Sequence, residues 1–154
     1  MMNKMKKGAG FTLIELLVVI AIIGLLSTLS LVALNVARQK ARDALRTADV
    51  KQMMTALELE YNDKGVYPNA VVMGGQIATG TAPNQTIYMG SVPTNPIPVQ
   101  DGWCSTTNAG VGVEFKYYND LAGASYHITY CLAGGSGGIN KGPHIATPNG
   151  IANP

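Results

Sequence analysis

From Leu16 to Leu34 the chain runs 19 residues without a charge, LLVVIAIIGLLSTLSLVAL. As a helix, that run covers roughly 28 Å, close to the ~30 Å hydrocarbon core of a bilayer. Nothing from Thr12 to Asn62 breaks a helix, because the stretch has no proline and a single glycine, Gly24. One continuous helix of 51 residues is therefore expected. Its apolar face moves along the way. Leu34, Ala37, Ala41, Leu45 and Ala48 share one stripe, and Val50, Met54, Leu57 and Tyr61 share another about half a turn round. Either the helix drifts over one core, or the second stripe serves the chain's own head and the first is left for other chains. Gly65 reads as the C-cap, and Tyr67-Pro68 as the start of extended chain.

Beyond the helix the period changes. Residues 69–110 are loop-rich, with Gly74-Gly75, Pro83, Pro93, Pro96 and Pro98. Two strand-like runs follow, Val111–Asn119 and Ser125–Leu132, joined by Asp120-Leu-Ala-Gly-Ala124. Alternation puts Val113, Phe115 and Tyr117 on one face of the first. In the second it puts Tyr126, Ile128, Tyr130 and Leu132 on one face and Cys131 on the other. The expected fold class is α+β: a long N-terminal helix packed on a small antiparallel sheet. The tail from Gly134 holds nine Gly or Pro in 21 residues and reads as a mobile loop.

Length and composition narrow the function classes. The 154 residues suit one domain and not two. Charged residues are only 13%, about half the roughly 25% usual in soluble domains, although hydrophobic residues reach 47%. Fifteen of the twenty charges lie in residues 1–64. Net charge is +2, with no basic block beyond Lys4, Lys6 and Lys7, which argues against bulk nucleic-acid binding. Two cysteines exclude a four-cysteine zinc site, and two distant histidines give no metal spacing. No G-x-S-x-G, H-E-x-x-H or C-x-x-C occurs. Near Lys141 the glycines fall out of P-loop register, and His127 and His144 lack a catalytic context. No enzyme activity, cofactor or metal is expected.

Three readings compete for the N-terminus. A secretory signal peptide would have a shorter apolar region, roughly 7–15 residues, and a small-residue cleavage site after it. A plain membrane anchor is the second. The third follows from where the small residues sit, at Gly8-Ala9-Gly10, before the apolar run. The stretch K-K-G-A-G-F-T-L-I-E-L-L-V-V-I-A-I-I-G, Lys6 to Gly24, resembles the N-terminal signal of type IV pilins and type II secretion pseudopilins. More loosely, A-R-x-A-x-R-x-x-D-V-x-Q-M-x-x-A-L and Y-N-D-K-G-V-Y-P resemble the major pseudopilins, and Y-M-G-S-V-P-T-N-P resembles the family's lead into the sheet.

That resemblance implies a pilin-like fold and a set of roles. A prepilin peptidase cuts after Gly10, and the new N-terminal Phe11 is N-methylated. Glu15 pairs with the free amine of a neighbouring subunit's Phe11. From the residues alone, Thr12-x-x-Glu15 fits a capping box, and both roles can hold in turn. The implied division is a leader at 1–10, a transmembrane and filament-core segment at 11–37, an amphipathic segment at 38–64, and an extracytoplasmic head at 65–154. The chain would be a structural subunit of a pilus or of a secretion pseudopilus, and the residues favour neither. The alternative is a minor tip pilin that binds DNA or a surface. Implied partners are other copies and other pilins, the peptidase, an inner-membrane assembly platform and, before assembly, membrane lipid. A major subunit would need no nucleic acid. Many type IV pilins carry a proline midway along the membrane helix, where this chain has Val32.

Topology rests on the cysteines, since basic residues flank the apolar run on both sides. If Cys104 and Cys131 form a disulfide, the head lies in an oxidising compartment. The N-terminus is then cytoplasmic, in a single-pass protein of the bacterial inner membrane that ends in a cell-surface filament. Two free buried thiols would fit the same sequence. Major pseudopilins bind calcium in a loop near the C-terminus. No Asp or Glu follows Asp120 here, and Ca²⁺ favours carboxylate oxygens, so calcium is not carried over.

Overall fold

The computed structural model describes residues 10–99, 101–104 and 113–152. The expected leader up to residue 9 and the first two positions of the expected strand, 111–112, lie outside the described residues. Helix α1 spans Leu13–Lys64, 52 residues. It stops where Gly65 adopts φ 72° and its N–H donates to the Tyr61 carbonyl at 2.6 Å. A side chain there would be strained, which is why glycine suits the position.

Two compact units divide at Val36/Ala37. In the first, every described side chain is exposed. This part of α1 is long and apolar enough to cross a membrane. Its few hydroxyls are satisfied within the helix. Ser27, Thr28 and Ser30 donate to the carbonyls of Ile23, Leu25 and Leu26 at 2.7–2.9 Å. Such back-bonding leaves no hydroxyl bare in an apolar medium.

The second unit holds the core. Strands β1 (Ile77–Thr79) and β2 (Thr86–Met89) form a two-stranded antiparallel ribbon. Strands β3 (Lys116–Asp120), β4 (Ser125–Leu132), β5 (Gly142–Thr147) and β6 (Gly150–Ala152) form an antiparallel sheet in that order. Val50, Met53, Ala56 and Leu57 of α1 pack against Phe115, Tyr126, Ile128, Tyr130, Leu132 and Ala146. The α+β architecture, one helix on a small antiparallel sheet, is thus observed. Its alternating face on β4 is the one expected.

Three local expectations need correction. The tail is not a loop: residues 142–152 form β5 and β6. Burial alternates along β5, with Gly142, His144 and Ala146 inward and Pro143, Ile145 and Thr147 outward. Pro143 is tolerated because β6 pairs only with Ile145–Thr147, so among the described residues that edge is free at Pro143. Next, β3 begins at Lys116, and residues 113–115 lead into it without strand pairing. Finally, Tyr88-Met89 ends the separate ribbon and does not join the larger sheet.

Cys104 and Cys131 are joined by a disulfide across 27 positions. Closing a loop of that size stabilises by about 3–4 kcal/mol on the chain-entropy model. Cys104→Ser should therefore lower the unfolding midpoint of the full chain and its steady-state level. Thiol labelling under non-reducing denaturation checks the bridge: no reactive thiol is expected, and two would contradict it.

Candidate functional site: the exposed helix and its buried anchor

At the start of α1, Thr12 and Glu15 form a reciprocal cap. Glu15 Oε2 accepts from the Thr12 N–H at 2.9 Å and from its hydroxyl at 2.7 Å. The Glu15 N–H donates to Thr12 Oγ1 at 3.3 Å. The spacing of three puts both groups on one turn, so each satisfies an otherwise open donor. Phe11, beside this cap, is 83% exposed, and Gly10 is exposed as well. Among the described residues nothing lies within 4 Å of the position a Gly10 side chain would take. The fold of this chain therefore does not require glycine there.

Further along, the two stripes separate as their spacing suggests. Leu34, Ala37, Ala41, Leu45 and Ala48 are all exposed. Val50 and Leu57 are fully buried, and Met54 is half-buried. Tyr61 departs from its stripe: it is exposed and stacks on Tyr67 at 4.5 Å. The helix thus gives one face to the head and leaves the other bare.

Followed toward the N-terminus at three- and four-residue steps, the buried face becomes polar: Thr47, Arg46, Asp43. This anchor was not anticipated. Arg46 and Asp43 side chains are both fully buried and pair at 2.7 Å. Arg46 also donates to Asn95 Oδ1 at 2.8 Å and to the Pro98 carbonyl at 3.3 Å. Asp43 accepts from the N–H groups of Ala133 at 2.9 Å and Gly134 at 2.6 Å. Arg42 pairs with Asp101, which holds the guanidinium more firmly protonated than usual. Four oxygens therefore surround the Arg46 cation, Asp101 Oδ2 being the most distant at 3.7 Å. The network ties α1 to the 95–101 loop and to the end of β4. The signal that could have found it is the three-four spacing itself, extended through charged residues.

The remaining singled-out residues are structural. His144 is buried in β5, where its Nε2 meets the Asn140 carbonyl at 2.8 Å. Its neighbour Tyr130 lies at 5.4 Å between ring centroids, and burial pushes that phenol up to about 12. His127 is half-buried on β4, with Nδ1 at 2.6 Å from Asp120. Neither histidine has a nucleophile beside it among the hydrogen bonds of the described residues. Among the described residues no three His, Cys, Asp or Glu side chains gather to hold a metal.

Residues 5–31 match the family model for the prokaryotic N-terminal methylation motif. Over 67 residues the chain is 36% identical to type II secretion system core protein G of Vibrio cholerae serotype O1, covering 44% of this chain and 46% of that one. Over 81 residues it is 41% identical to fimbrial protein EcpC of Eikenella corrodens, covering 51% of this chain and 50% of that one. The chain thus carries the N-terminal methylation motif and is similar, over about half its length, to a type II secretion core protein and a fimbrial protein. It spans about half the length of the curated relatives it matches. No solved structure matches. The bare first unit has a physical consequence. Seventeen large apolar side chains from Phe11 to Val36 stand exposed in the single chain, far beyond the patch a water-facing surface tolerates. Lipid or other helices must cover them.

Proposed function

We propose that this pilin-type chain is a structural filament subunit. It enters the inner membrane as a precursor, with the N-terminus cytoplasmic and the head extracytoplasmic. A prepilin peptidase removes the leader, residues 1–10, and the amine of Phe11 is methylated. Residues 11–37 then leave the lipid and pack into a filament core, with an inner-membrane platform driving the transfer. Residues 38–64 carry the exposed stripe to neighbouring copies, and residues 65–154 form the outward head. The observation that carries this reading is the apolar helix, exposed on all sides, whose N-terminal part lies within the methylation motif at residues 5–31. The Cys104–Cys131 disulfide supports an oxidising compartment for the head. One matched relative is named for type II secretion and the other for a fimbria, so a pilus and a pseudopilus are both within its scope.

The direct test is at the cleavage position. Since the fold leaves room for a side chain at Gly10, any need for glycine there comes from the peptidase. Gly10→Val should leave uncut precursor in the membrane with a normally folded head. Unchanged cleavage of that variant would count against the assigned site.

A further inference from the structure

Lys40 and the turn from Gly134 to Lys141 line an open basin of about 600 Å³ in the second unit. Two of the lining residues are lysines and none is acidic. The turn is well defined. Ser136 and Ile139 exchange backbone hydrogen bonds at 3.0 and 2.9 Å, and Gly137 and Gly138 take φ of 58° and 82° between them. With no side chains on those glycines, the approach to the two ammonium groups stays unobstructed. Beside the basin stands Trp103, the chain's single tryptophan, half-exposed against Gly142. In its loop Gly102 takes φ of 55° and lies against the Gln39 side-chain amide of α1.

The depth of these groups along α1 is the deciding feature. Lys40 follows the last residue of the uncharged apolar run, Leu34, by six positions, or about 9 Å of helix. If that run fills the hydrocarbon core, the headgroup layer extends roughly 5–8 Å beyond it. Lysine stems reach back by several ångströms, and tryptophan favours this interface. We propose that Lys40, Lys141 and Trp103 form a docking surface for anionic phospholipid headgroups in the leaflet on the head's side. It would tether the head to the membrane surface before assembly. The proposal rests on the membrane-anchored reading above. The charge is complementary, and among the described residues no acidic side chain lines the basin to repel a phosphate.

The test uses the full chain reconstituted in phosphatidylcholine vesicles, with or without phosphatidylglycerol. Lipids brominated near the headgroup report contact by quenching Trp103. Quenching should be strong with phosphatidylglycerol, weak without it, and reduced by salt. Each lysine near an anionic surface should favour docking by about five-fold, so Lys40→Gln with Lys141→Gln should lose roughly 25-fold. Both lysines are exposed, so the variant should fold normally. Equal quenching in the two vesicles, or no loss in the double variant, would overturn the proposal. So would the same Trp103 response to inorganic phosphate in detergent, which would mark a soluble-phosphate site. If the chain fails to float with either vesicle, the membrane-anchored reading falls and this proposal with it. The other outcomes bear on the docking surface alone.

Discussion

Glu15→Ala should reach the membrane and be cut after Gly10 as the parent chain is, yet give few filaments. In the single chain the carboxylate is held by Thr12 at 2.7 and 2.9 Å, so it needs no partner from outside. Cleavage would create a positive amine on Phe11, four residues before Glu15. Within a filament core both charges enter a medium of low dielectric, where an unpaired charge is strongly unfavourable. Pairing between subunits would remove both penalties and fix the axial offset of one helix against the next. Losing one member strands the other, which for buried pairs costs about 3–5 kcal/mol per contact. Repeated at each subunit, that cost should suppress polymerisation. Insertion should survive, because alanine leaves the span at least as apolar. The comparison is sheared-filament yield against the membrane pool of processed subunit, in cells lacking the parent chain. Normal filament yield would remove the pairing role.

The second large effect is expected at Arg46. Arg46→Met keeps the length of the side chain and deletes its charge, leaving Asp43 fully buried with only its two backbone donors. The Asn95 and Pro98 oxygens lose their donor as well. Breaking a buried pair from one side costs about 3–5 kcal/mol. For a unit of this size that corresponds to a fall in melting midpoint of roughly 10–20 °C. Asp43→Asn in the Arg46→Met background should recover part of the loss. It removes the stranded charge and keeps an oxygen for one of the two N–H groups. Thermal unfolding of the full chain in detergent, followed in the near ultraviolet, measures both. A midpoint within two or three degrees of the parent would mean the guanidinium is not enclosed as described.

How much was legible depends on what each segment writes into its pattern. The helix could be bounded to within two residues, because no proline interrupts it after Thr12 and Gly65, just before Tyr67-Pro68, takes the left-handed cap. Strand β4 was readable because Tyr126, Ile128, Tyr130 and Leu132 alternate without interruption. Strands β5 and β6 were hidden by composition. Glycine and proline dominate the count, while the inward positions of β5 are a glycine, a histidine and an alanine, a weak apolar signal. The β1–β2 ribbon is three and four residues long, too short to show a period. The buried anchor escaped for the opposite reason. Its spacing continues the head-facing stripe, but a search for apolar residues stops at Val50 and passes over Arg46 and Asp43. At the N-terminus, the Thr12–Glu15 cap was visible as a three-residue spacing. The roles proposed for Gly10 and Phe11 rest on the motif alone, since among the described residues nothing packs around them.

The most direct test of the filament assignment is the intact mass of this chain in filaments sheared from cells, with sequencing of its first residues. The expected result is a chain that begins at N-methyl-Phe11 and retains the Cys104–Cys131 bridge. A filament chain beginning at Met1 or Met2 would contradict it.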